Sequence, residues 1–104
     1  KRGTNMSLVK IKSKSHGFRN PNTNKMVNNH HVINLANDKG EHLTRFYSYG
    51  ACIVQIVNSK ITLDKYYYNY SRTTSKYRNM YLGLDSKQLT KKIASGEIEL
   101  ANLN

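Results

Sequence analysis

From residue 31 the chain reads His31-Val32-Ile33-Asn34-Leu35, then Asn37-Asp38-Lys39-Gly40, then a run from Glu41 to Tyr49. The first segment is rich in β-branched and apolar residues, and the second is strong turn chemistry. Together they predict a hairpin. On its return strand Leu43, Arg45, Tyr47 and Tyr49 share one face, and Thr44, Phe46 and Ser48 share the other. Gly50 permits a bend or bulge, and Ala51 to Val57 is the most apolar strand of the chain. Asn58-Ser59-Lys60 then turns tightly into the short strand Ile61-Thr62-Leu63. The pattern is a meander of three or four strands.

Beyond this meander the period changes. Tyr77, Met80, Tyr81 and Leu84 recur at helical spacing, with Ser71 or Thr73 as N-cap and Gly83 near the end. A second short helix starts at Asp85 or Ser86, carries Leu89 and Ile93 one turn apart, and stops at Gly96. Glu97-Ile98-Glu99-Leu100 alternates as a final strand, and residues 101–104 are expected to fray. The predicted class is α+β: a small antiparallel sheet of about four or five strands with one or two helices packed on one face. Toward the N-terminus, residues 7–12 alternate weakly, which predicts an edge strand guarded by lysines. Residues 13–29 hold the sole proline, Pro21, and few apolar groups beyond Phe18, which could anchor them to the core. The division expected is a basic, flexible arm over residues 1–29 and a single small domain over residues 30–104.

Charge is the second signal. The formal net charge is +11 over 104 residues, and the first acid is Asp38, so the first 37 residues carry seven cations unopposed. Such an excess suits solubility, but it is also the electrostatic footprint of a polyanion binder. Between Lys65 and Tyr81 six of the eight tyrosines lie among four cations with no acid. Cations neutralise phosphate, and flat tyrosine rings stack on bases with little sequence preference. The candidate contacts are Lys10, Lys12, Lys14, Arg19 and Lys25 in the arm; Lys65, Tyr66, Tyr68 and Tyr70 before the helix; and Arg72, Thr73, Thr74, Ser75, Lys76 and Arg78 at its start. In this last group, hydroxyls and cations gather where free backbone N–H groups already favour an anion. If residues 65–70 are extended, Tyr66, Tyr68 and Tyr70 face one way and Tyr67 the other. Tyr77 and Tyr81, on the apolar stripe, belong to the core.

Other chemistry is poorly served. His30, His31 and His42 come with no cysteine pair, no His-x3-His spacing and no carboxylate at ligand spacing, so neither metal nor cofactor is expected. Cys52 stands alone in an apolar run and reads as an inert buried thiol. No phosphate-cradling glycine loop and no paired acids suggest an enzyme. No stretch approaches a membrane span, so a soluble cytoplasmic protein without membrane partners is expected.

The segment Tyr47-Ser48-Tyr49-Gly50, the apolar strand, Ile61-Thr62-Leu63-Asp64 and then Tyr67-Tyr68-Asn69-Tyr70-Ser71-x-Thr73-Thr74-Ser75-Lys76-Tyr77 resembles a group of small uncharacterised bacteriophage and mobile-element proteins. That group shares a Tyr-Ser-x-Thr-Thr-Ser-[Lys/Arg]-His pattern ahead of a helix ending in Phe-Leu or Tyr-Leu. Tyr81-Leu82 matches the helix end, whereas Tyr77 stands where the pattern has histidine. The resemblance spans roughly residues 47–100 and implies a phage origin, in the host cytoplasm, without a mechanism. Asn, Lys, Tyr and Ile, whose codons are AT-rich, make up 40 of the 104 residues, in keeping with an AT-rich genome. Two functions are expected in competition: a non-enzymatic accessory protein that binds DNA or RNA, or an inhibitor of a host nuclease, antiviral complex or ribonucleoprotein. Self-association through a strand edge is a further expectation.

Overall fold

A computed structural model of the chain describes residues 12–37 and 39–104. Five strands come first: β1 (Lys12–Arg19), β2 (Met26–Ala36), β3 (His42–Ser48), β4 (Ala51–Val57) and β5 (Lys60–Asp64). Helices α1 (Arg72–Leu82) and α2 (Ser86–Ser95) follow, and β6 (Ile98–Ala101) ends the sequence of elements. The six strands form one sheet in chain order, antiparallel from β1 to β5. β6 lies parallel to β5, and the two helices make the crossover that a parallel pair requires. The α+β class is as expected, but among the described residues the sheet has six strands and is mixed.

Two-residue hairpins join the central strands. Tyr49 and Gly50 both have positive φ, at 52° and 83°, between the paired Ser48 and Ala51. Asn58 and Ser59 do the same, at 50° and 67°, between Val57 and Lys60. This is the primed turn whose twist matches that of the flanking strands. Opposite Phe46 and Tyr47 the register slips at Ile53, so that Ile53 and Val54 are both fully buried.

One core joins the sheet to both helices. Val32, Phe46, Ile53, Val54, Leu63 and Ile98 meet Leu89, with Tyr77, Met80, Tyr81 and Ile93 packed against them. Phe46 is stacked on Tyr81 at 4.7 Å between ring centroids. Both helices end as the sequence indicates, at left-handed Gly83 and Gly96.

Residues 13–29 differ from the expected loop or arm. They hold most of β1 and the start of β2, and the boundary placed between residues 29 and 30 falls inside β2. At the edge of the sheet among the described residues, β1 needs no apolar alternation, and its residues 13–16 are exposed. Pairing to β2 from Lys12↔Ala36 to Gly17↔His31, and Phe18 seated against Phe46, Tyr77 and Tyr81, supply what the sequence pattern lacks. The edge strand expected over residues 7–12 lies, but for Lys12, outside the described residues. Residues 101–104, expected to fray, are also held. Leu103 donates its N–H to Asp64, and the Asn104 amide pairs with both backbone groups of Cys52.

Phe46 has no exposed surface and touches rings from β1, β2 and α1. Phe46→Ala should cost about 3–5 kcal/mol, the range for a truncated core aromatic. Urea denaturation, comparing midpoints at unchanged slope, reads this directly.

Candidate nucleic-acid interface

The tyrosine segment follows Asp64, a carboxylate with no exposed surface at the end of β5. Its Oδ2 accepts the N–H groups of Tyr66 at 3.0 Å and Tyr67 at 2.9 Å, and its Oδ1 accepts that of Leu103 at 2.7 Å. The Asp64 carbonyl takes the Tyr68 N–H at 3.0 Å. These bonds coil residues 65–70 into turns, so the strand alternation expected of the tyrosines does not apply. Tyr66 is 68% exposed, Tyr70 46% and Tyr67 41%. Tyr68 turns inward and packs against the core. Tyr67 and Tyr70 meet edge to face at 5.5 Å, and the Lys65 ammonium stands 5.2 Å over the Tyr66 ring.

Helix α1 opens beside this segment. Ser71 is the N-cap and accepts the Thr74 N–H at 3.1 Å. The Ser71 hydroxyl bonds Thr74 Oγ1 at 3.0 Å, and Thr74 Oγ1 meets Ser48 Oγ at 2.9 Å. Ser48 Oγ meets His30 Nε2 at 2.9 Å, and His30 Nδ1 reaches the Asn28 carbonyl at 2.8 Å. With Nδ1–H donating to that carbonyl, each hydroxyl donates once along the chain and every buried member is satisfied. This chain pins the helix start to β2 and β3. It also consumes Thr74, which is fully buried and so is corrected from a phosphate contact to a structural one.

The neighbouring positions stay open. Arg72, Thr73 and Lys76 are exposed. Arg72, Ser75 and Lys76 line a groove of about 470 Å³ with Asn69, Asn79 and Ser86. Ser75 is half-buried and donates to Asn69 Oδ1 at 2.8 Å. On the other side of the first turn, Thr73 lines a second recess of about 500 Å³, shared with Lys25, Tyr49 and Tyr77. Lys14 and Arg19 are exposed on β1, and Arg19 donates to the Asn24 carbonyl across the β1–β2 turn. Lys10 and the Lys12 side chain lie outside the described residues.

Arg78 requires the second correction. It is 2% exposed, donating from Nη1 to the Tyr68 carbonyl and from Nε and Nη2 to Asn79 Oδ1. Burial lowers its pKa, which the nearby Tyr68 partly offsets. It cannot meet a phosphate on the open surface, and Tyr68 is likewise withdrawn from stacking.

No described acid forms an ion pair with these cations. Glu99 pairs with Lys60 at 3.4 Å and Glu97 with Lys92 at 3.0 Å, both near β6. Among the described residues Lys14, Arg19, Lys25, Lys65, Arg72 and Lys76 make no ion pair. Cys52 is buried, and burial pushes its thiol up to about 11, which leaves it a poor nucleophile at neutral pH. Among the described residues no group of three or more His, Cys, Asp or Glu is placed to hold a metal ion, and no helix is long and apolar enough to cross a membrane. The sequence reading missed His30 and Ser48 as partners of the helix cap. A histidine beginning an apolar strand and a serine facing the same way as Phe46 were the available signals. Comparison with protein-family models, curated proteins and solved structures finds no match.

Burial would raise the Asp64 pKa, but the N–H groups of Leu103, Tyr67 and Tyr66 and the Asn104 amide outweigh it and hold the carboxyl below its usual value. A depressed folded pKa gives stability that is complete above the unfolded value, about 3.9, and is lost as pH falls through the folded one. Asp64→Asn should therefore lower stability at pH 7 by about 1–3 kcal/mol. It should also flatten the loss of stability below about pH 4. Denaturation midpoints measured between pH 7 and pH 2.5 test both.

Proposed function

We propose that the protein binds nucleic acid without catalysing a reaction on it, through phosphate contacts and tyrosine stacking. The observation that carries this reading is the placement of Arg72 and Lys76 on the first turns of α1, directly after exposed Tyr66, Tyr67 and Tyr70. A helix N-terminus is the positive end of the macrodipole, and α1 has no acid in its first turn. A cation at this point is locally unfavourable and becomes favourable once phosphate occupies the groove. Lys65, Arg72 and Lys76 then track a backbone past the tyrosine rings. Lys14, Arg19 and Lys25 extend the charge along the β1–β2 hairpin. Thr73 supplies a hydroxyl, that of Ser75 being spent on Asn69, and Tyr66 and Tyr70 stack. Binding of this kind is weakly sequence-selective and shared by DNA and RNA.

Six exposed cations set the expected salt dependence. For a single strand the log–log slope of affinity against salt should approach about −4, and for a duplex about −5. Replacing Arg72 and Lys76 together with Gln should reduce that slope by about one to two charges, and Tyr66→Ala with Tyr70→Ala should cost roughly 1–3 kcal/mol per stacked base. Fluorescence anisotropy with labelled oligonucleotides from 50 to 200 mM salt reads both. A slope of one charge or less, unchanged by these substitutions, overturns the reading.

The edge-to-face contact of exposed Tyr67 and Tyr70 supports a second reading, an interface anchor for a host protein such as a nuclease or antiviral component. It predicts a stoichiometric complex with that protein, lost in Tyr67→Ala with Tyr70→Ala, and micromolar or weaker binding to free nucleic acid.

A further inference from the structure

A guanidinium offers five N–H donors and keeps its charge in any protein environment. Arg78 spends three of the five on the Tyr68 carbonyl and Asn79 Oδ1, leaving one on each terminal nitrogen without a described acceptor. No carboxylate lies within ion-pair distance of it among the described residues. A buried cation with neither counter-ion nor full hydrogen bonding is costly. Its position explains how that cost can be met. Arg78 lines a cavity of about 390 Å³ bounded by the tyrosine segment and α2.

The rest of the lining points the same way. Ser86, the first residue of α2, accepts the Asn79 amide at Oγ, which leaves its O–H to donate elsewhere. Of the first backbone N–H groups of α2, that of Gln88 is taken by the Asp85 cap, and those of Ser86 and Lys87 have no intrahelical partner. Leu89, Ile93 and Ala94 form an apolar wall, and no acid lines the cavity.

We infer that this cavity is a binding site for a small oxyanion, a carboxylate or a phosphate, with Arg78 as its buried counter-ion. Two oxygens take the two remaining guanidinium N–H groups, the Ser86 hydroxyl donates a third bond, and a short apolar body rests on Leu89, Ile93 and Ala94. The site is separate from the exposed cations of the nucleic-acid reading and does not rest on it.

The test is an amide and guanidinium NMR titration of the whole chain with butyrate, acetate and inorganic phosphate, against chloride at matched ionic strength. The expected result is saturable shifts at Ser86, Thr90 and Arg78 Nε–H with an oxyanion and none with chloride. Among the carboxylates butyrate should bind more tightly than acetate, because only its chain reaches the apolar wall. Arg78→Lys, which removes the planar fork, should weaken binding by about tenfold or more. Should Arg78→Lys fail to fold, Ala94→Leu fills the cavity from its exposed side and should abolish the saturable shifts while the spectrum stays dispersed. Shifts that are linear in concentration and equal in chloride overturn the proposal. So does saturable binding that survives Ala94→Leu unchanged. Because the probes are small anions, this result is read independently of any binding to oligonucleotides that lack a terminal phosphate.

Discussion

Two buried charges of opposite sign hold the tyrosine segment in place. Asp64 takes the N–H groups of Tyr66 and Tyr67 from the sheet side, and Arg78 takes the Tyr68 carbonyl from the helix side. Between these clamps the chain must coil, and coiling decides which rings face water. Tyr68 is drawn into the core, while Tyr66, Tyr67 and Tyr70 are left outside. Asp64 also receives Leu103, so the same carboxylate ties the residues after β6 to the end of β5. The polar groups that carry a candidate interface are thus placed by groups that never reach its surface.

The start of α1 shows the same separation one turn later. Thr74 and Ser48 face inward and complete a hydrogen-bond chain from the Ser71 cap to His30. Arg72, Thr73 and Lys76 face outward over two recesses. Adjacent hydroxyls in Ser71-Arg72-Thr73-Thr74-Ser75 therefore do different work, because helical geometry turns each by about 100° from the last. A run that looks uniform as a sequence is divided by its phase against the core.

This phase effect accounts for what could be read from residues and what could not. The elements from β3 to β6 were legible because period, turn residues and caps agree there: Gly83 and Gly96 stop helices, and Asp85 caps α2 with Gln88 reciprocating. β1 was not legible, since a polar edge strand is specified by its partner β2 and by the distant ring contacts of Phe18. Among the candidate contacts, Lys14, Arg19, Lys25, Lys65, Arg72 and Lys76 were placed at exposed positions simply because long cations seldom bury. Arg78 broke that rule, and nothing local to residue 78 announces its burial. The Asp64 clamp was equally hidden, as its partners include Leu103, 39 residues away.

The distribution of acids leaves the cations of the hairpin and the α1 start without ion pairs among the described residues. Each of the five described acids has a structural task. Glu41 accepts from Asn37 in the β2–β3 turn, Asp64 holds the tyrosine segment, and Asp85 caps α2. Glu97 and Glu99 pair with Lys92 and Lys60. With 17 cations and only six acids in the chain, any acid committed to a turn or cap is one fewer to neutralise the surface. The cations of β1, the tyrosine segment and α1 are left to repel one another, which weakens a small domain unless an external anion relieves it. Arg72 at the start of α1 is therefore left with no described acid to offset its unfavourable place against the helix dipole.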